Sequence, residues 1–111
     1  MSTMTMRNSV MLIGIPTQPI IRDEKSVIKH AKFKLTVTET YKNANNEYVT
    51  CTNVFDCYGE GKVSEMIAKL VKEGRELAID GKLRRYEWNN PDGTRCSDVQ
   101  IEINDLFAIY K

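Results

Sequence analysis

The sequence predicts an all-β domain in which five strands form a barrel and one α-helix lies between the third and fourth strands. Two observations lead to this prediction. Apolar and polar residues alternate along several stretches bounded by turn signals, as in strands with one buried face. One stretch in the second half of the chain has helical spacing instead. With 111 residues, the chain is long enough for a single domain over residues 1–111.

Three strands are expected before the helix. Their predicted bounds are Arg7–Ile15, Val27–Thr40 and Tyr48–Tyr58. Gly14 and Pro16 close the first strand, and a loop is expected at Thr17–Ser26. The second strand alternates most clearly, with an inward face of Phe33, Leu35 and Val37 and an outward face of Lys32, Lys34, Thr36 and Thr38. In the third strand, the predicted inward residues are Cys51, Phe55 and Cys57, and the predicted outward residues are Thr52, Val54, Asp56 and Tyr58.

The helix is expected at Lys62–Glu73, because apolar residues recur there three and four positions apart. The predicted apolar stripe consists of Val63, Met66, Ile67, Leu70 and Val71. Gly74 follows the helix at the position where a left-handed capping residue belongs. Lys62 and Lys72 lie on the polar side, which is predicted to face solvent.

A long hairpin completes the chain, with strands at Arg75–Trp88 and from Arg95 to Ile103, or as far as Tyr110. Pro91-Asp92-Gly93 signals the turn between them. Because residues two apart share a face, one face carries Lys82, Arg84, Tyr86 and Trp88 and the other carries Leu77, Ile79 and Leu83. Three strands, a helix and two strands is the order of the OB-fold, which binds oligonucleotides on one face. Many functions use this fold, so the function has to be argued from side chains.

The cationic and aromatic face of this hairpin suits a polymer that has negative charges and flat bases. Aromatic rings stack on bases of any sequence, and lysine and arginine neutralise phosphates. The alternative is an ordinary solvated face whose aromatic end covers the loop. The net charge is only +1, so an anion-binding surface requires local segregation of charge.

The sequence does not indicate an enzyme. It has no recognisable nucleophile and base grouping, phosphate-binding glycine loop or paired-carboxylate pattern. His30 is the only histidine and no Cys-x-x-Cys pair occurs, so neither a metal nor another cofactor is expected. Three cysteines, an odd number, favour a reducing compartment over a disulfide framework. Because no targeting segment or membrane span is recognisable, we expect a cytoplasmic protein that does not bind a membrane.

Several segments resemble bacterial single-stranded DNA-binding proteins. They are Asn8–Gly14, Ala31–Val37, Val63–Gly74 and Leu77–Arg84. Gly-x-Leu-Arg running into Trp88, and then a polar turn with Gly93, is similar to the fourth strand and hairpin of that family. Single motifs are weak, but their order and spacing are specific over residues 8 to 109. The resemblance implies sequence-independent binding of single-stranded DNA in replication, recombination or repair, at the nucleoid in the bacterial cytoplasm.

The resemblance also implies which rings contact DNA. Trp88 matches a tryptophan that the family stacks on bases, and Tyr41 and Tyr58 fall at aromatic positions of the family. Thr52 stands where some members have a further tryptophan, so one stacking position is missing. Asp56 lies on the same predicted face and would repel phosphate. Both departures predict weaker binding than in the best-equipped members, or a DNA path that avoids this strand.

Cations complete the predicted site. The predicted single-stranded DNA-binding residues are Trp88, Tyr58, Tyr41, Tyr86, Arg84, Lys82, Lys32, Lys34, Arg85, Lys62 and Lys72. Arg85 is included although strict alternation points its side chain away from Arg84.

Family members form homotetramers in which the first strand pairs across an interface, so the resemblance implies a homo-oligomer, a tetramer or a dimer. Members usually continue into a long linker with an acidic tip that recruits other proteins. This chain stops at Lys111, either because the tail was omitted or because the protein is a tail-less relative, such as one from a phage or mobile element. Recruitment through a tail is therefore not predicted.

Two other functions stay open at this point. One is a protein-interaction OB domain, such as a primosomal accessory dimer similar to replication protein N, which binds single strands while it docks a helicase. The hairpin with Gly-x-Leu-Arg and Trp88 favours the first interpretation. The other is binding of single-stranded RNA, because nothing in the sequence senses a 2′-hydroxyl group.

Overall fold

The computed structural model of the protein describes residues 6–22 and 30–109. Five strands and one helix follow each other in the predicted order. Their bounds are β1 Val10–Arg22, β2 His30–Lys42, β3 Tyr48–Glu60, α1 Lys62–Val71, β4 Leu77–Asn89 and β5 Arg95–Ala108. The strands close into a barrel in the spatial order β1-β2-β3-β5-β4. The predicted five-stranded OB-fold barrel is confirmed.

The barrel closes through one short parallel contact. The other neighbouring strands are antiparallel, whereas β3 and β5 pair only at Cys57 with Ile101 and at Tyr58 with Glu102. Beyond this contact, β2 with β3 and β4 with β5 continue as two separate hairpins. We call them the β2–β3 arm and the β4–β5 arm.

β1 is longer than predicted and continues through residues that were expected to form a loop. Val10–Gly14 pairs with β4, and from Ile15 onward the strand pairs with β2. Pro16 lies just past this change of partner, where β1 has one neighbour and a missing N–H can face the unpaired side. Gly14 and Pro16, which were predicted to end the strand, therefore lie where β1 changes its pairing partner from β4 to β2.

The core combines the inward faces of the strands with one side of α1. Its buried members are Ala31, Phe33, Leu35, Val37, Cys57, Ile67, Val71, Leu77, Ile79, Ile101, Ile103 and Leu106. The predicted inward face of β2 is confirmed. Burial raises the pKa of Cys57 to about 12, with a further contribution from the charge of Asp56. The Cys57 thiol therefore stays neutral and packs as a small apolar group.

Three residues predicted to be buried are exposed, because the barrel does not cover their positions. Cys51 lies on the β2–β3 arm, and Leu83 lies at the rim with 47% of its surface exposed. On α1, Met66 is exposed, whereas Ser64 is buried and its hydroxyl donates to the carbonyl of Gly61. The predicted helical periodicity is confirmed, but the buried stripe of α1 excludes Met66 and includes Ser64.

The helix ends at Val71, two residues before the predicted end. Gly74 has a φ of 65° and its N–H donates to the carbonyl of Val71, so the predicted left-handed residue after the helix is confirmed. The predicted loop residues 23–26, the start of the second strand at Val27 and the extension to Tyr110 lie outside the described residues.

Side chains and backbone geometry close the tips of both arms. At the β2–β3 tip, the carboxamide oxygen of Asn43 accepts from the backbone N–H of Glu47 at 3.0 Å, and Asn46 adopts a φ of 65°. At the β4–β5 tip, Gly93 has a φ of 89° and its N–H donates to the carbonyl of Asn90 at 2.9 Å. The turn predicted at Pro91-Asp92-Gly93 is confirmed.

Candidate nucleic-acid interface

Strand register arranges the outward side chains of β2, β3, β5 and β4 in rows. The first row consists of Lys32, Tyr58, Glu102 and Lys82. The following rows are split between the two arms. On the β2–β3 arm the successive pairs are Lys34–Asp56, Thr36–Val54 and Thr38–Thr52. On the β4–β5 arm the corresponding pairs are Arg84–Gln100, Tyr86–Asp98 and Trp88–Cys96. We call these rows, together with the row of His30 and Glu60 that precedes the first, the outer face.

Three rings meet at the centre of the outer face. The ring of His30 stacks on Tyr58, with centroids 5.7 Å apart and planes inclined by 19°. Tyr86 meets Tyr58 edge to face, at a centroid distance of 6.0 Å. Tyr58 points away from the core as predicted, but only 4% of its surface is exposed. Its ring therefore faces outward as predicted, but neighbouring side chains cover it and leave little of its surface for a base.

Tyr58 is nevertheless well placed to support the two rings that cover it. Burial raises the pKa of its hydroxyl, and a hydrogen bond with Tyr86 raises the pKa further, so the group stays protonated. Tyr86 itself is 41% exposed and His30 is partly exposed. The open ring surfaces at the centre of the outer face are therefore those of Tyr86 and His30.

Trp88 lies near the end of the β4–β5 arm, and 47% of its surface is exposed. Lys82, Arg84, Tyr86 and Trp88 alternate along one face of β4, as predicted. The six steps along the strand from Lys82 to Trp88 span about 20 Å at roughly 3.4 Å per residue. Exposed rings and cations therefore follow one line along β4.

Two predicted DNA-binding residues lie on the other side of the sheet. Tyr41 continues the inward face of Phe33 on β2 and is exposed because the arm extends past the barrel. Arg85 alternates with Arg84, and its Nε lies 3.4 Å from a carboxylate oxygen of Glu87. The structure therefore does not bring Tyr41 and Arg85 together with the outer face.

Carboxylates accompany the cations of the outer face. The Nζ of Lys34 lies 3.4 Å from Oδ1 of Asp56. Lys82 and Arg84 approach the same oxygen, Oε2 of Glu102, at 3.2 Å and 3.3 Å. Partial burial raises the pKa of Glu102, but the hydrogen bond from Lys82 and the charges of Arg84 and Lys82 outweigh it and hold the pKa below its usual value. The outer face is therefore a pattern of ion pairs and not a uniformly positive surface.

The two helix lysines lie at opposite ends of α1. Lys62 is the first helical residue and comes two residues after β3 ends at Glu60, which pairs with His30. Lys72 follows the last helical residue, about 15 Å further along at 1.5 Å per residue. Both side chains are exposed. Lys62 therefore begins close to the first row, whereas Lys72 lies at the far end of the helix.

Sequence reasoning missed His30 and Glu102. His30 has the same parity as Lys32, so extending the alternation of the second strand by one step places it on the outer face. The Nδ1 of His30 lies 3.6 Å from Oε1 of Glu60 across the strand pair. No local signal identifies the role of Glu102, because its cations come from a different strand.

Most of the chain is similar to proteins of a known family. Residues 7–108 match the model of the single-strand binding protein family. The chain belongs to this family. A single-stranded DNA-binding protein from Clostridium perfringens is 33% identical over 103 residues, which cover 89% of this chain and 65% of the relative. Single-stranded DNA-binding protein 1 from Chlorobaculum tepidum is 27% identical over 101 residues, which cover 89% of this chain and 62% of the relative. The chain thus spans less than two thirds of the length of both relatives.

A solved structure agrees with the family assignment at the level of the fold. The Plasmodium falciparum SSB complex with ssDNA superposes on the chain with a TM-score of 0.81 and 23% sequence identity. The superposition covers 98% of this chain and 100% of that one. At this identity the likeness shows that the two proteins share the barrel.

Within residues 6–22 and 30–109, no three His, Cys, Asp or Glu side chains come together in a way that could hold a metal ion. No helix in the same part of the chain is long and apolar enough to cross a membrane.

Proposed function

We propose that the chain binds single-stranded DNA without regard to sequence, and that the outer face holds the strand. The observation that carries this proposal is the line of exposed rings and cations along β4, which ends in Trp88. Membership of the single-strand binding protein family supports it. The protein would then act in replication, recombination or repair, as a cytoplasmic protein at the bacterial nucleoid and without catalysis.

Stacking accounts for affinity without sequence preference. A base stacked on an aromatic ring contributes roughly 1–3 kcal/mol, and every base has a π-face. Trp88 and Tyr86 offer open rings on the outer face, and His30 offers a third above Tyr58. Duplex DNA binds poorly in this mechanism, because its bases are already stacked on each other.

Cations hold the backbone of the strand between the rings. Lys32, Lys34, Lys82 and Arg84 lie in the first two rows, and Lys62 extends them towards the helix. For single strands, each neutralised phosphate contributes about −0.7 to the slope of log K against log salt concentration. Lys72, Tyr41 and Arg85 stay candidates for a strand that continues around the helix or onto the other side of the arms.

Trp88 is the only tryptophan, so its fluorescence reports directly on the proposed site. We expect poly-dT to quench this fluorescence strongly, with an affinity that falls as salt is added. A duplex of the same length should quench little. Undiminished fluorescence at saturating poly-dT, measured in low salt with binding checked by electrophoretic mobility, would rule out stacking on Trp88.

The same titration separates the alternative functions. Poly-U that binds as tightly as poly-dT would indicate an RNA-binding protein or one indifferent to the 2′-hydroxyl. An absence of binding to either polymer would contradict the proposed function and would favour an OB domain that docks protein partners without binding single strands.

We also propose that the chain forms a homo-oligomer through β1. Val10–Gly14 pairs with β4 alone among the described strands, so the other edge of this segment is open. Met11, Ile13 and Ile15 form an exposed apolar stripe beside Phe107 of β5. A second copy that pairs along this edge would cover both the open backbone and the stripe.

Sedimentation of the pure protein tests the oligomer. We expect a mass near four times the chain mass of 12.7 kDa, with twice that mass as the alternative. Ile13→Asp should shift the protein towards smaller species, because it places a charge in the apolar stripe. Met66→Asp is the matched control, since Met66 is an exposed apolar residue on α1 outside the stripe. A wild-type mass of 12.7 kDa at micromolar concentration would contradict the proposal.

A further inference from the structure

Glu102 occupies an unusual position on the outer face. Its Oε2 lies 3.2 Å from Nζ of Lys82, and 3.3 Å and 3.4 Å from Nη2 and Nε of Arg84. Glu102 is in register with Lys82 on one side and with Tyr58 on the other, so it lies in the middle of the first row. Its side chain is 28% exposed and therefore open to displacement.

A DNA phosphate would seek the same donors. A non-bridging phosphate oxygen carries negative charge and accepts charge-assisted hydrogen bonds from lysine and arginine, as a carboxylate oxygen does. Lys82 and Arg84 cannot both keep Glu102 and give their full charge to a phosphate at the same place. With Glu102, the three residues together carry a net charge of about +1, and without its charge they carry about +2.

We propose that Glu102 is an internal competitor for the DNA backbone, which holds Lys82 and Arg84 in place of a phosphate and lowers the affinity for single-stranded DNA. The inference rests on the proposed function and concerns how tightly that site binds. The carboxylate also keeps the two cations ordered beside Tyr58 when no strand is bound. An incoming strand then exchanges one anion for another and releases Glu102 to solvent.

Other ion pairs of the described chain show why Glu102 differs from an ordinary surface acid. Glu87 also lies between two arginines, Arg85 and Arg95, but on the side of the arm opposite Arg84. On the outer face, Asp56 forms an ion pair with the single cation Lys34, at 3.4 Å, within the part of the chain that the structure describes. Glu102 joins two cations of the proposed DNA track at a single oxygen. The depressed pKa of Glu102 agrees with this geometry and keeps the competitor charged at neutral pH.

Glu102→Gln tests the inference, because it removes the charge and keeps the size of the side chain. We expect the Kd for oligo-dT to fall about three- to tenfold at moderate salt, since two partly exposed ion pairs no longer oppose binding. The slope of log K against log salt should steepen by about 0.7, because no freed carboxylate then takes up a cation that offsets the one released from the DNA phosphate. Glu73→Gln is the matched control: Glu73 lies 3.6 Å from Arg75 after α1, and its loss should change neither quantity.

The outcomes separate the inference from the proposed function. If the wild-type protein fails to bind oligo-dT, the proposed function fails. If the wild-type protein binds and Glu102→Gln leaves both the Kd and the salt slope unchanged, or weakens binding, the inference is overturned and the function stands. Circular dichroism establishes that each variant is folded. Should Glu102→Gln not fold, Glu102→Ala is judged by the same two quantities.

Discussion

Replacing Trp88 with alanine is expected to raise the Kd for oligo-dT roughly 5- to 150-fold, which corresponds to about 1–3 kcal/mol of lost stacking. The ring is half exposed and continues the line of Tyr86 along the outer face, so a base can cover it without rearrangement of the barrel. Because the substitution removes the only tryptophan, binding should be followed by the anisotropy of a labelled oligonucleotide.

Trp88→Phe is the control for this experiment. Phenylalanine keeps an aromatic face at the same position on the arm, so we expect it to retain most of the affinity that alanine loses. The comparison separates stacking from an effect of the substitution on the arm itself. If Trp88→Ala binds as tightly as the wild-type protein, Trp88 lies outside the site.

Ile67→Ala is expected to lower the free energy of unfolding by about 2–5 kcal/mol, the usual cost of a cavity in a packed core. Ile67 is fully buried on α1 and belongs to the same core cluster as Leu35 and Leu77. Alanine also favours helix, so any loss comes from packing and not from helix propensity. Urea denaturation should be compared at one protein concentration, since self-association would contribute to the measured stability.

Met66→Ala provides the matched comparison, one residue earlier on the same helix. Met66 is 40% exposed, so its truncation should change the unfolding free energy by roughly 0.5 kcal/mol or less. Equal losses for the two variants would mean that α1 does not pack on the barrel through Ile67. The contrast tests a difference that the periodicity of the sequence did not reveal, because both residues belong to the predicted apolar stripe.

Local patterns were sufficient for the order of the elements and for much of the site. The alternation of Phe33 and Leu35 with lysines identified the two faces of β2, and the alternation from Lys82 to Trp88 identified the outer face of β4. These predictions succeeded because a strand that lies on a core repeats every second residue, whatever its neighbours are. The remaining features of the fold and the site depended on which strands and side chains pack against each other in three dimensions.

β1 and the β2–β3 arm show how neighbours override local signals. Pro16 ends a strand in isolation, yet β1 continues through it because β2 becomes its partner there. Cys51 has the parity of a core residue, but its part of β3 extends past the barrel and has no core to face. The alternation specifies a side of the strand, and the length of the barrel determines whether that side is covered.

The sequence by itself determined the five strands, the helix and the set of rings and cations from which a single strand could be held. Only the tertiary structure decided how those groups combine: Tyr58 lies beneath His30 and Tyr86, and Glu102 holds Lys82 and Arg84. The physical reason is that the side of a strand to which a side chain points follows from the alternation of neighbouring residues in the chain. Ring contacts and ion pairs depend instead on the register between strands that lie far apart in the sequence.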